Sequence, residues 1–381
     1  MVYKYLLNEP HLDDKEMEYV SHVLKQGWLS AGGDFTKKFE DSFAKLIGVK
    51  YALAVQSGTA ALHTAMLAMG VSRGDKVVIP NYTCGACASS VLQTGAEPII
   101  IDVDRKTFGM DATILEKVLL NEKVKAVMLV HVYGFPCRDF EKIVALCKKH
   151  DVLLLEDASE AHGSTFNGRN IGTFGDMAVF SVRSEKMIGV GEGGLVLTNS
   201  KELHDKAHFY ASRAAPHRGA DDPWWHKYIY TDVGMNYRLP HLLGAIGYAQ
   251  VEKFPYILGR KRLVGKAYEK LFLNHEGVTL QNVAPGSEPC YWLNSILIDK
   301  DEKTIRKIGD DLIAQGLEIR PAFWPLSELA VFKRYAYGSQ ENGKYIFEHL
   351  IVLPSSVKMA EGDAKTVHEV AAIVKETLRK Y

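Results

Sequence analysis

No apolar run in this sequence approaches the roughly 20 residues of a membrane-spanning helix; stretches such as AVMLV at 126–130 are far shorter. The amino terminus, MVYKYLLNEPHLDDKE, turns acidic too early for a secretory signal, so a soluble, cytoplasmic protein is expected. A surplus of either charge is missing too. Lys+Arg and Asp+Glu balance at 46 each, which leaves no net field to draw the chain to nucleic acid or to an anionic membrane. Cysteine is scarce, with five residues at positions 84, 87, 137, 147 and 290, an odd and scattered set that excludes a disulfide framework in 381 residues. Cys84 and Cys87 do form a C-x-x-C in TCGAC, the spacing of a redox dithiol or of half a zinc site. No second pair follows to complete a metal cage, so two packed, reduced thiols are expected. The helix start at Ser57, Gly58 and Thr59 is neither a Walker A loop nor a G-x-G-x-x-G dinucleotide loop, so an NTP or NAD site lacks its usual support there.

What is present is an alternation of helix and strand signals through the first 250 residues. FTKKFEDSFAKLIG repeats Phe35, Phe39, Phe43, Leu46 and Ile47 at helical spacing. DKVVIP, EPIIIDVD, KAVMLVHV and DVLLLEDAS are short runs, apolar without alternation, as strands covered on both faces require. The fold class implied is α/β, a mostly parallel sheet with flanking helices. A second, more charged stretch begins around RKRLVGKAYEKLF, which divides the chain into a large domain at 1–250 and a smaller carboxyl-terminal α+β domain at 251–381.

Four features of the large domain converge on one chemistry. In AVQSGTAALHTAMLAMG the small residues Ser57, Gly58 and Thr59 open an Ala-rich helix, so that backbone N–H groups and hydroxyls are available to an anion such as phosphate. The run DVLLLEDASEAHG ends in Asp157, and acids at the carboxyl end of a strand in an open α/β sheet point into the ligand crevice. A buried carboxylate needs a partner, and a protonated ring nitrogen would serve. Ser181 closes the strand DMAVFS, and five residues later, in SVRSEKMIGVGEGG, comes Lys186. Alone, Lys186 fits a surface lysine in a turn; beside four glycines, expected to let the chain approach a ligand closely, it fits a Schiff-base lysine. Phosphate cradle, acid and lysine together are the requirements of pyridoxal phosphate.

Over almost its whole length the sequence resembles the DegT/DnrJ/EryC1/StrS group of nucleotide-sugar aminotransferases, which have the aspartate aminotransferase fold (PLP fold type I). The resemblance is carried by GWLSAGGDFTKKFE, SGTAALHTAM, GDKVVIPNYTCGAC, VHVYGFP, LLEDASEAHGS, GTFGDMAVFS, KMIGVGEGGLVLTN, GMNYRLP, IRPAFWPL and LPSS, in that order. It implies that Lys186 bonds the cofactor, that Asp157 holds its ring nitrogen, and that Ser57, Gly58, Thr59 and Ser181 hold its phosphate. Asn236 in GMNYRLP would reach the same phosphate from a neighbouring subunit, making a homodimer with shared sites. Glu160 would lie beside the ring oxygen. Cys84 stands where family members often carry an aromatic residue over the ring, and Arg183 also departs from the usual pattern after Ser181. His131 and Tyr133 are expected to pack in the core.

Within the family EDASEAHGS, WWH and RPAFWPL look most like the GDP-perosamine synthase type. This implies amination, from L-glutamate, of C4 in a nucleotide-linked 4-keto-6-deoxyhexose, with Arg183, Trp225, His226 and Arg320 as candidate contacts to the sugar nucleotide. Sugar specificity is expected in the loop ASRAAPHRGADDPWWHKYIY. A C3-ketosugar acceptor and a ligand-sensing homologue without turnover are the alternatives. A related dehydratase branch replaces the lysine with histidine, so Lys186 favours transamination.

Overall fold

The computed structural model describes residues 3–216 and 222–381. Seven strands form the central sheet: β1 (Tyr51–Val55), β2 (Lys76–Pro80), β3 (Glu97–Ile101), β4 (Ala126–Val130), β5 (Leu153–Asp157), β6 (Met177–Ser181) and β7 (Gly194–Thr198). Their spatial order is β1-β7-β6-β5-β4-β2-β3. Neighbours are parallel except β7, which runs against both β1 and β6. Every residue of β4, β6 and β7 is buried, as continuous apolar runs require of strands with helices on both faces. The carboxyl ends of β1, β2, β4, β5 and β6 therefore share one edge of the sheet.

The helices follow from their own spacing. Asp34–Ile47 buries Phe35, Phe39, Phe43 and Ile47, one apolar face at helical period. Phe39 and Phe43 are fully enclosed, each contributing about 2–3 kcal/mol by removal from water. Gly58–Ala68 starts at its N-cap Ser57, whose side chain accepts from the Ala60 N–H, and ends two residues before Gly70, which takes the left-handed conformation needed to turn the chain.

A second sheet lies in the carboxyl-terminal part: β8 (Val278–Leu280), β9 (Asn294–Ile298), β10 (Arg320–Pro321) and β11 (Leu350–Leu353), antiparallel in the order β8-β9-β11-β10. It has its own apolar cluster, including Val264, Tyr268, Phe272, Ile296, Leu312 and Val370. Trp292, Leu293 and Leu326 belong instead to the core of the large sheet. The segments before β9 and after β10 thus reach back over the strand ends of the first sheet.

One core contact is pH-sensitive. Glu40 accepts the Ala54 N–H at 2.8 Å, and burial pushes its carboxyl up to about 7 from an ordinary 4.5, against the pull of that hydrogen bond and of Lys37. A carboxyl raised on folding stabilises the native state below its unfolded value, and that stability is lost as pH rises through the folded value. Denaturant unfolding of the wild type should accordingly lose on the order of 1–3 kcal/mol between about pH 5 and about pH 8. Glu40→Gln should flatten most of that slope; an equal slope in the variant refutes the assignment.

Candidate active site

At the shared strand edge lies a cavity of about 320 Å³. Its floor is built from consecutive strand ends: Val130 from β4, Asp157 from β5 and Ser181 from β6. The Gly58–Ala68 helix points its amino terminus into the same space through Ser57, Gly58 and Thr59. Ser57 spends its hydroxyl acceptor on Ala60 and its carbonyl on Ala61. The N–H groups of Gly58 and Thr59 are left without an intrahelical partner, a partial positive charge suited to a phosphate. Gly58 leaves little room for a side chain: a Cβ there would lie 3.0 Å from Ser181 Cβ and 3.2 Å from its hydroxyl.

Asp157 is 4% exposed. Its Oδ1 accepts the Ser159 N–H at 3.1 Å, and its Oδ2 accepts the Cys87 thiol at 3.3 Å. Burial and the charge of Asp157 push the Cys87 thiol well above its ordinary range, which keeps it a protonated donor. Among the described residues no cationic side chain pairs with Asp157. Across the cavity Lys186 Nζ lies 3.3 Å from Glu160 Oε1 and 3.5 Å from the centroid of the Trp292 ring, a cation–π contact. Glu160 is also held by the Tyr133 N–H, 2.7 Å from Oε2. Burial raises its carboxyl, although Lys186 and that N–H oppose the rise. Tyr133 adopts a left-handed backbone, φ 57°, to aim this N–H, and its hydroxyl pairs with that of Tyr82 at 2.9 Å.

The far wall is aromatic. Tyr133 stacks on Phe323 at 5.5 Å between centroids, and Trp292 completes the surface. At the mouth stand Arg183, Glu185, Glu192 and Arg320.

The fold thus brings together ten of the expected site residues: Ser57, Gly58, Thr59, Cys84, Asp157, Glu160, Ser181, Arg183, Lys186 and Arg320 line one cavity. Trp225, His226 and Asn236 do not line it. Trp225 and His226 sit in the exposed Trp224–His226 turn, and Asn236 bridges the backbone of Ser212. Residues 217–221 of the expected specificity loop fall outside the described residues. Tyr133, expected as core packing, is buried but also lines the cavity, whereas His131 is wholly buried beneath it. Two of the glycines after Lys186 admit chain, while Gly191 takes a positive φ of 106°. A Cβ on Gly189 would meet the Ser184 carbonyl at 2.5 Å, and one on Gly194 the Ser57 carbonyl at 2.5 Å. This close approach presses β7 against the start of the helix and so fixes the anion cradle. Trp292, Phe323 and Glu185 went unread, the aromatics in CYWLNS and IRPAFWPL being the only signal for the first two; Cys87 was read as a packed thiol but not as a donor to Asp157.

The model of a family described as the DegT/DnrJ/EryC1/StrS aminotransferase family matches residues 10–372. The chain is 38% identical over 325 residues to the GDP-perosamine synthase of Escherichia coli O157:H7, covering 85% of this chain and 86% of that one. With the GDP-perosamine synthase of Caulobacter vibrioides the identity is 35% over 361 residues, 94% and 95% of the two chains. Among solved structures, the aminotransferase TlmJ from Streptoalloteichus hindustanus superposes with a TM-score of 0.89 at 27% identity, covering 100% of both chains.

The donors present fit pyridoxal phosphate in kind. A free helix terminus suits its phosphate, an uncompensated buried carboxylate suits a protonated ring nitrogen, and an amine faces both across an aromatic wall. The cradle can be tested without catalysis. Gly58→Ala would push a methyl group against Ser181 and should weaken binding of the cofactor by about tenfold or more in a fluorescence titration, with an unchanged melting temperature. Unaltered affinity would place the phosphate elsewhere.

Proposed function

We propose, from the premise that this chain belongs to the DegT/DnrJ/EryC1/StrS aminotransferase family, that it transfers an amino group from L-glutamate to C4 of a GDP-linked 4-keto-6-deoxyhexose, with pyridoxal 5'-phosphate as cofactor. The observation that carries this reading is that the Lys186 amine and the cation-free carboxylate of Asp157 open into one cavity with a helix amino terminus. The two relatives named GDP-perosamine synthase support the sugar nucleotide.

When bound, the cofactor supplies an aldehyde that exchanges amines and a ring that accepts the electron pair of a deprotonated carbon. Asp157 would keep the ring nitrogen protonated, while the Gly58 and Thr59 N–H groups and the Ser181 hydroxyl would hold the phosphate. Glu160, whose carboxyl burial raises against the pull of Lys186, would lie beside the ring oxygen. Lys186 Nζ moves the proton at the substrate carbon, and the Tyr133, Phe323 and Trp292 wall keeps bulk water from it. Arg183 and Arg320 at the mouth offer forked donors to a diphosphate.

The active unit in this reading is a homodimer with shared sites, in which Asn236 reaches the phosphate of the neighbouring site and Trp225 and His226 contact its sugar nucleotide. Exposed apolar side chains support a covered surface: Trp28 is 57% exposed and Trp224 76%. Five unpaired cysteines support a reducing, cytoplasmic setting.

Borohydride treatment of the cofactor-loaded protein should fix the label on the peptide containing Lys186, and glutamate alone should release one equivalent of 2-oxoglutarate. Lys186→Ala should abolish turnover; sustained transamination by that variant overturns the assigned role. A C4-keto sugar nucleotide should be aminated and a C3-keto one not. For the shared site, Lys186→Ala and Asn236→Asp chains co-expressed at equal level should regain about one quarter of wild-type activity, because half the dimers are mixed and each holds one intact site. Activity no greater than the sum of the two variants alone would make each site the property of a single chain.

A further inference from the structure

Two guanidinium groups at the cavity mouth are held by one carboxylate. Glu185 Oε1 lies 3.3 Å from Arg183 Nη1 and 3.3 Å from Arg320 Nη1, and Oε2 lies 3.4 Å from Arg320 Nη2. Arg183 has a second acid, Glu192, at 3.5 Å, whereas Glu185 is the only acid paired with Arg320 among the described residues. Two cations and two anions cancel, so an arriving dianion meets a mouth with no net charge.

The backbone of Glu185 is fixed, because its carbonyl accepts from Asn8 Nδ2 at 2.5 Å and from Trp292 Nε1 at 2.7 Å. Its side chain is the movable part. Arg320 is 44% exposed and Glu185 19%, so the pair is neither sealed from water nor strongly held. The paired contact of Oε1 and Oε2 with the Arg320 fork is also the arrangement that two phosphate oxygens would make.

We propose that Glu185 is a resident counter-anion that occupies Arg320 until a diphosphate displaces it, a latch that makes entry of the acceptor depend on the diphosphate rather than on the sugar. The proposal rests on the sugar-nucleotide reading of the same site. On binding, the Arg320 guanidinium exchanges one anion for another, and the released carboxylate turns to water. A free ketosugar, having no such anion, leaves the latch closed.

GDP titrated calorimetrically into the cofactor-loaded protein tests this. Glu185→Gln removes the competing charge and keeps the shape, so GDP should bind about fivefold tighter than to wild type. Inorganic pyrophosphate should rank the two proteins in the same order. In an Arg320→Ala background the gain from Glu185→Gln should vanish, since the coupling runs through that arginine. Equal or weaker binding by Glu185→Gln would overturn the latch and make the carboxylate an organiser of the arginines. A gain that persists without Arg320, or no binding of GDP and pyrophosphate to any of the proteins, would overturn it as well. The sugar-nucleotide reading fails differently, by a wild type that forms the borohydride-fixed label on Lys186 yet aminates no GDP-linked 4-ketosugar.

Discussion

A carboxylate buried at the end of a central strand, with two hydrogen bonds and no cation paired to it among the described residues, is the constraint around which the rest of this structure is arranged. Leaving a charge in a protein interior costs several kcal/mol unless it is compensated. Asp157 obtains part of its compensation from the Ser159 N–H and the Cys87 thiol. In the proposed reading the remainder comes from a ligand that brings a positive charge to the cavity side. Cys87, expected as a packed, reduced thiol, is thereby absorbed into the site as a hydrogen-bond donor.

The sheet order makes that constraint usable. Strands β4, β5 and β6 are adjacent, so Val130, Asp157 and Ser181 form a continuous floor. The antiparallel β7 returns the chain from Lys186 to the far side of β6, where Gly194 packs on the Ser57 carbonyl. A short hairpin thus connects the lysine to the anion cradle. A larger residue at Gly194 would separate the two, although neither is its sequence neighbour.

The parts legible in the sequence were those that depend on local pattern. Buried parallel strands announce themselves as KVVIP or AVMLV, the helix start as SGT, and the strand-end acid as LLLED. The aromatic wall was not legible, because Trp292 and Phe323 are distant in sequence from Asp157 and approach it only when the segments flanking β9 and β10 fold over the first sheet. Glycine at 189 and 194 was misread for a related reason. Its spacing reports a close approach, but only tertiary structure tells whether the visitor is a ligand or another stretch of chain. Asn236, Trp225 and His226 mark a different limit, since they do not line their own chain's cavity and its geometry gives them no role there.

Burial alone does not distinguish a reactive lysine from a structural one, and in the proposed reading this protein contains both kinds. Lys261 is fully buried, and loss of hydration pushes its amine down to about 7, a value that would suit a catalyst. Its Nζ nevertheless donates to Asn8 Oδ1 at 3.0 Å, to the Trp292 carbonyl at 2.7 Å and to the Ser355 carbonyl at 2.5 Å. An ammonium has three donors, so all are spent, and Lys261 does not line the cavity. Lys186 spends one donor on Glu160 and rests otherwise on the face of Trp292. It keeps the capacity to bond something new. The two lysines are linked through that tryptophan: Lys261 holds its carbonyl, the Glu185 carbonyl holds its indole N–H, and the ring so fixed sets the position of Lys186. The structural lysine thus acts on the chemistry only by fixing what the other one rests on.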